Sequence, residues 1–265
     1  MLKIENQEFS SRLILGSSMY KSFDELNQCI QTSETEILTV SVRREQFTKN
    51  NKHNFLDFLK SKKIKFMPNT AGCLNAKEAI QTALMAREIY QTNWIKLETV
   101  GHPYNLQPDP LALLEATKEL MSQDFLVFPY MTDDLWLAEK LVNLGCQFLM
   151  PWASPIGSGR GLINEYNFSL IRKHFPQINI IIDAGIGRPS DATRVMELGA
   201  DAILLNSAIA KAVHPENMAE AFCYAIKAGR KSFESGIMDK RISACASTSQ
   251  INRPFWRNAG HAPEY

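Results

Sequence analysis

The sequence predicts an α/β protein built as a single (β/α)8 TIM barrel, and three observations predict it. Eight short apolar runs, rich in Ile, Val and Leu, alternate with helical patterns over roughly the first 230 residues. Such alternation builds a parallel sheet with helical crossovers. The length of 265 residues and a hydrophobic content of 45% suit one barrel with a sizeable core. A helix–Gly–strand turn also recurs, as Leu144-Gly145-Cys146-Gln147 and again as Leu198-Gly199-Ala200-Asp201. The alternative is an open doubly wound sheet. It lacks support, since no GxGxxG follows the first strand and no P-loop occurs.

Taken in order, residues 3–9 form a short strand or an N-terminal cover, and 12–16 (RLILG) the first core strand, stopped by Gly16-Ser17-Ser18. A helix is expected over 23–32, then a β-branched second strand over 37–42. A helix over 54–60 leads to the third strand, 64–67, and to the loop Pro68-Asn69-Thr70-Ala71-Gly72. Asn75 is placed to cap a helix over 76–90, whose apolar residues share one face. The fourth strand is 94–98. A Gly/Pro/Asn-rich loop over 101–110 precedes a helix ending near Ser122. The remaining strands are 125–128, 147–150, 178–182 and 202–205, and the helices between and after them run from Asp133 or Asp134 to Leu144 and over 168–174, 189–198 and 215–228. The barrel is therefore assigned to residues 1–230. Residues 231–265, where Ser, Arg, Asn and Gln surround isolated aromatics such as Phe255 and Trp256, are a tail expected to be a flap or partly disordered.

Composition narrows the function classes. Lys+Arg is 29 against Asp+Glu 28, so nothing advertises nucleic acid or an anionic membrane. The five cysteines are scattered and odd in number, which fits a reducing cytoplasm better than a disulfide framework. The histidines form no metal motif, and no run reaches transmembrane length. The N-terminus lacks the apolar segment of a signal peptide.

The informative stretch is Trp94-Ile95-Lys96-Leu97-Glu98. On a strand, residues i and i+2 share a face, so Trp94, Lys96 and Glu98 point one way. In a central strand both faces are covered, and the charged pair then sits away from bulk water. A desolvated lysine tends to lose its proton and becomes a nucleophile toward carbonyls. On an edge strand the same pair would be a solvated ion pair without chemical consequence. Barrel sites lie at the C-terminal ends of the strands. There the sequence concentrates Glu45, Asn69, Lys96, Glu98, Tyr130, Asp183, Asn206 and Ser207. Phosphate in a barrel is usually held by the loops after strands seven and eight, here Asp183-Ala184-Gly185-Ile186-Gly187 and Asn206-Ser207-Ala208-Ile209. The loop Gly157-Ser158-Gly159 after strand six adds backbone donors. A lysine for carbonyl chemistry, two carboxylates (Glu98 and Asp183) and a phosphate cup describe a Schiff-base enzyme on a small phosphorylated keto sugar. Aldolases, isomerases and condensing enzymes all fit that description.

The chain resembles the bacterial thiazole synthases, which build the thiazole phosphate half of thiamine. The resemblance is carried by Pro68-Asn69-Thr70-Ala71-Gly72, Asn93-Trp94-Ile95-Lys96-Leu97-Glu98, Pro108-Asp109-Pro110, Ser154-Pro155-Ile156-Gly157-Ser158-Gly159, Asp183-Ala184-Gly185-Ile186-Gly187 with Pro189-Ser190, and Gly199-Ala200-Asp201-Ala202 through Asn206-Ser207-Ala208-Ile209-Ala210. The resemblance implies a (β/α)8 barrel that condenses 1-deoxy-D-xylulose 5-phosphate with dehydroglycine and sulfur. It implies that the sulfur arrives as the C-terminal thiocarboxylate of a small ubiquitin-like sulfur carrier protein. It further implies a Schiff-base lysine at Lys96, proton transfer by Glu98 and Asp183, and sugar-phosphate contacts at Gly157, Ala184, Gly185, Asn206 and Ser207. It implies no metal, no redox cofactor and a homo-oligomer. The chain departs from the family's usual pattern at Gly16-Ser17-Ser18-Met19-Tyr20, at Trp152 and in the tail. Two rivals are a lysine-dependent aldolase, which needs no sulfur donor, and a scaffold barrel, for which Lys96 would be dispensable.

Overall fold

The structure is a computed structural model and describes residues 1–42 and 64–245. The helix expected over 54–60, together with Glu45, Phe255 and Trp256, lies outside the described residues. An N-terminal hairpin, β1 (Leu2–Ile4) and β2 (Gln7–Phe9), precedes the barrel. The barrel strands are β3 (Leu13–Gly16), β4 (Ile37–Ser41), β5 (Lys65–Asn69), β6 (Trp94–Leu97), β9 (Leu126–Met131), β10 (Phe148–Pro151), β11 (Asn179–Asp183) and β12 (Ala202–Leu205). They pair in parallel in chain order, and β12 closes on β3 through Ile203↔Leu13 and Leu205↔Leu15. All eight predicted barrel strands are present, within a few residues of their expected ends.

The helices are α1 (Phe23–Ser33), α2 (Ala76–Tyr90), α3 (Pro110–Ser122), α4 (Leu135–Asn143), α5 (Glu165–His174), α6 (Pro189–Glu197), the short α7 (Ser207–Ala210) and α8 (Pro215–Ser235). Their starts are set by side-chain caps that satisfy otherwise orphaned N–H groups. Ser22 accepts from Glu25, Asn75 from Glu78, Asp109 from Leu111 and Ala112, and Asp134 from Leu137. Pro occupies the first turn of α3 and of α6, where its missing N–H costs nothing.

Three features depart from expectation. The 101–110 segment holds a second small hairpin, β7 (Val100–His102) with β8 (Gln107–Pro108). Helix α7 was not anticipated. Helix α8 continues to Ser235, past the expected end near residue 228, because Arg230 pairs with Glu234 one turn on and Phe233 lies against Gly199. The N-terminal compact unit accordingly spans Met1–Ser235.

Strand alternation sorts the buried residues into two clusters. Outward residues such as Leu15, Val40, Ile95, Leu97, Ile182 and Leu205 pack beneath the helices. Inward residues Ile14, Ile37, Met67, Trp94, Phe128, Phe148, Met150, Ile181 and Leu204 fill the barrel, and Leu2, Ile4 and Phe9 of the hairpin join them. The hairpin thus closes the lower end: Phe9 meets Trp94 edge-on at 5.9 Å, and the Trp94 indole N–H donates to Glu5 Oε2 at 2.8 Å. Trp94, Phe128 and Phe148 stack in series, with ring centres 5.5 and 4.5 Å apart. Above this apolar floor the same inward positions turn polar.

Phe128 stands at the middle of that stack and is fully buried. Phe128→Ala is expected to lower unfolding free energy by ~3–5 kcal/mol, through lost transfer energy plus a cavity that fixed strands cannot collapse. Urea denaturation of the two proteins measures it. A loss under about 1 kcal/mol would mean that the floor is not a rigid packed layer.

Candidate active site

Lys96 is the second inward residue of β6, directly above Trp94, and β5–β6 pairing sets it beside Asn69. Glu98 lies just past the strand end, where backbone could fray. Thr70 prevents that: its Oγ1 accepts from the Glu98 N–H at 2.8 Å and donates to the Glu98 carbonyl at 2.7 Å. Its own N–H donates to the Lys96 carbonyl at 3.1 Å. Asp183 ends β11, inward by the same alternation, and is bridged to Trp152. The three side chains meet. Lys96 Nζ lies 2.9 Å from Glu98 Oε1 and 2.7 Å from Asp183 Oδ2, and all three residues are at most 6% exposed.

The site electrostatics correct one expectation. Burial alone pulls a lysine toward its neutral form, as the isolated strand pattern implied. Here burial is the largest single influence, but the combined pull of Asp183 and then Glu98 outweighs it and holds the Lys96 ammonium above the usual lysine range. In the free protein Lys96 is therefore charged. The Asp183 carboxyl is pushed up, mainly by burial, with Lys96 opposing and Glu98 reinforcing. A proton leaving Lys96 thus has a nearby acceptor of raised affinity.

Above the trio opens a cavity of about 470 Å³. The residues given catalytic or sugar-phosphate roles all border it: Lys96, Glu98, Asp183, Gly157, Ala184, Gly185, Asn206 and Ser207. On one side Ala184 and Gly185 follow Asp183 with consecutive positive φ of 69° and 81°. At Gly185 a β-carbon would fall 2.0 Å from Ser154 Oγ, so only glycine admits this approach. Ser154 Oγ and the Gly161 N–H both donate to the Gly185 carbonyl, at 3.2 and 2.9 Å, tying the loops after β10 and β11 together.

Asn206 sits where β12 meets α7. Its amide nitrogen donates to the carbonyls of Gly16 and Ser18 at 3.2 and 2.9 Å, and its oxygen accepts from the Ser18 hydroxyl at 2.7 Å. A β-carbon on Gly16 would lie 2.6 Å from that of Asn206, which explains the glycine ending β3. The side chain thereby organises the rim as well as lining the cavity.

Two bordering cations, Arg188 and Lys211, were not singled out from the sequence. Both belong to exposed segments whose composition resembles any helix end, so only their placement reveals them. Among the described residues no three His, Cys, Asp or Glu side chains gather as metal ligands, and no helix is long and apolar enough to cross a membrane.

With this geometry in place, comparison with known proteins is decisive. Residues 3–249 match the family model described as "Thiazole biosynthesis protein ThiG". The chain belongs to the ThiG family. Curated relatives named thiazole synthase from Burkholderia thailandensis and Burkholderia pseudomallei are 45% and 44% identical over 98% of this chain and 96% of theirs. Membership makes the chain a thiazole synthase of thiamine biosynthesis at the level of family. Among solved structures, the Amycolatopsis orientalis BexX/CysO complex matches with a TM-score of 0.80 at 27% identity, covering 91% of this chain and 98% of that one. A structure titled native KDPGal matches at 0.59 but 14% identity, covering 85% of this chain and 98% of that one, a likeness of fold alone.

Removing the ammonium leaves two buried carboxylates facing each other. Lys96→Met is expected to cost ~3–5 kcal/mol at neutral pH. Without the cation, the Asp183 carboxyl, already pushed up by burial, has a folded pKa further above its unfolded one, so protonation favours the folded state. The Tm deficit against wild type should therefore shrink as pH falls from about 8 to about 5, as differential scanning calorimetry would read. A deficit independent of pH would contradict the charged trio. Gly185→Ala should disorder the cavity wall, weakening sugar-phosphate binding by calorimetric titration while the barrel remains folded by circular dichroism. Unchanged affinity would show that the wall yields.

Proposed function

We propose that this chain condenses 1-deoxy-D-xylulose 5-phosphate with dehydroglycine and sulfur from the thiocarboxylate of a carrier protein, through a Schiff base on Lys96. The observation that carries this reading is the buried Lys96 ammonium held between Glu98 and Asp183 at the floor of a cavity bordered by glycine loops and by Arg188 and Lys211. A scaffold has no use for such a costly arrangement. Family membership supplies the overall reaction, and the residues supply the roles.

The phosphate is held by the loops carrying Gly157, Ala184, Gly185, Asn206 and Ser207, with Arg188 and Lys211 balancing its charge. This fixes one end of the sugar and presents the ketone to Lys96. Asp183, whose affinity for a proton is raised by burial, takes one from the ammonium. The freed amine adds to the ketone carbon, and the same proton returns from Asp183 as the carbinolamine expels water. The iminium acidifies the neighbouring C–H, so Glu98 accepts that proton and the carbonyl moves one carbon along the chain. The thiocarboxylate sulfur adds to the new carbonyl carbon. The carrier's acyl group then passes from sulfur to the oxygen of that adduct, breaking the acyl C–S bond, and leaves with that oxygen as the carrier's carboxylate, so the sulfur stays on the sugar skeleton. The glycine-derived imine then closes the ring with loss of water and release of Lys96.

The partner in this scheme is a sulfur carrier with a flexible C-terminal tail. The BexX/CysO structure, which is a complex, supports a protein partner for this barrel as well. Homo-oligomeric assembly, a cytoplasmic setting and independence from a resident metal or redox cofactor belong to the same reading.

Incubation with 1-deoxy-D-xylulose 5-phosphate followed by borohydride should fix the sugar to the peptide bearing Lys96, adding its mass less one water plus two hydrogens. Lys96→Arg, which keeps the cation between the carboxylates, is the control and should carry no adduct. Absence of the adduct in folded wild-type protein would remove the covalent mechanism. An adduct on another lysine would reassign it.

A further inference from the structure

Tyr130 is the inward residue of β9 at the level of the trio. Its register partners are Met150 on β10 and, by continuation of the Lys96↔Phe128 pairing, the Glu98 position beyond β6. It is 1% exposed, and its hydroxyl has no hydrogen-bond partner among the described residues. The Lys96 Nζ lies 5.8 Å from the centre of its ring. A buried hydroxyl without a partner forfeits the hydrogen bond that water would provide, so a fold keeps one where another state uses it. Burial, then Asp183, then Glu98 push the phenol above its ordinary range, so it stays a neutral O–H donor throughout.

In the same shell, Asp183 Oδ2 and Glu98 Oε1 share the Lys96 ammonium at 2.7 and 2.9 Å. The lysine serves both carboxylates only while it has three N–H groups. Once Nζ is bonded to a substrate carbon as a protonated imine it keeps one N–H, and one carboxylate loses its partner in a dry site. Lys96, Glu98, Asp183 and Tyr130 are the titratable groups that face one another there.

We infer that Tyr130 is a positioning residue for the covalent stage of the reaction: its reserved O–H turns to the carboxylate that Lys96 vacates and keeps it ionised as the base. No bond forms or breaks at the phenol. The role rests on the Schiff-base reading above. No described residue takes this hydrogen bond in the free protein, and the proposal gives the donor a partner once the lysine is consumed.

Tyr130→Phe tests this, because it removes one oxygen and keeps the ring that packs in the wall. In the free protein the Tm should be unchanged or raised, since no hydrogen bond is lost. With 1-deoxy-D-xylulose 5-phosphate, dehydroglycine and a thiocarboxylated carrier, kcat should fall about ten- to a hundredfold, the range for losing a hydrogen bond to a charged group, with KM for the sugar nearly unchanged. The vacated carboxylate, lacking its donor, should take up a proton more readily, so the acidic limb of the kcat–pH profile should move to higher pH. A purely structural hydroxyl would lower Tm and leave that limb in place, which would overturn the assignment. Wild-type kcat and pH profile in the variant would overturn it equally. If wild-type protein forms no borohydride-trapped adduct, the Schiff-base reading fails and the role of Tyr130 falls with it. If the adduct forms and the variant matches wild type, only the role of Tyr130 is lost.

Discussion

The rest of this molecule depends on one buried ammonium held between two carboxylates. Moving Lys96 out of water costs several kcal/mol, and so does each of Glu98 and Asp183. Mutual attraction offsets that cost only at close range and fixed geometry, here 2.9 and 2.7 Å. Much of the surrounding structure holds that geometry. β6 and β11 are barrel strands whose outward residues are locked under helices. Thr70 clamps both backbone groups of Glu98. Beneath the lysine, Trp94 and the aromatic stack exclude water. Loosening any of these would lengthen the ion pairs and leave the desolvation cost uncompensated.

The same barrel separates stability from chemistry along its axis. Its lower interior is an apolar plug sealed by the N-terminal hairpin, and its upper interior carries Thr39, Asn69, Lys96, Glu98, Tyr130 and Asp183 on equivalent inward positions. Asn69 Nδ2 donates to Thr39 Oγ1 at 3.0 Å, and Asn69 Oδ1 accepts from the Ala71 N–H at 3.2 Å, so this polar layer is largely cross-linked before any substrate enters. An internally bonded layer resists rearrangement, which suits groups that must act at fixed separation.

Strand positions were legible because each barrel strand is an apolar run bounded by Gly, Pro or polar turns, and periodicity reads such runs directly. The helix start at Asn75 was legible for the same local reason, the cap, and that at Asp134 to within the pair Asp133-Asp134. Properties that depend on distant residues were not. The β7–β8 hairpin has no alternating pattern, since only Val100 and Pro108 are buried in it. The end of α8 depends on Phe233 meeting Gly199, a contact across the chain. The strand around Lys96 displays Glu98 as a neighbour but gives no sign that Asp183 comes to the same nitrogen, the larger of the two carboxylate influences that offset burial. That is why the local pattern points to a neutral amine and the folded protein holds a cation. Arg188 and Lys211 escaped for the converse reason, being ordinary surface residues until the fold turns them to a cavity.

In the proposed reaction, the charge layout would also distinguish the two ends of the substrate. By formal charge the trio is one ammonium against two carboxylates, a net negative floor. Arg188 and Lys211 border the cavity together with the glycine loops. A sugar phosphate entering this field is repelled from the floor by its anionic end and drawn toward the cationic border. Its uncharged ketone is the only end that can approach Lys96 without Coulombic penalty. Proton movement from Lys96 to Asp183 would leave the floor's net charge unchanged, so the bias would persist through the proposed imine formation. On that reading orientation is set by long-range charge before any hydrogen bond forms, and the proposed contacts of Gly185 and Ser207 have only to fix a pose already chosen.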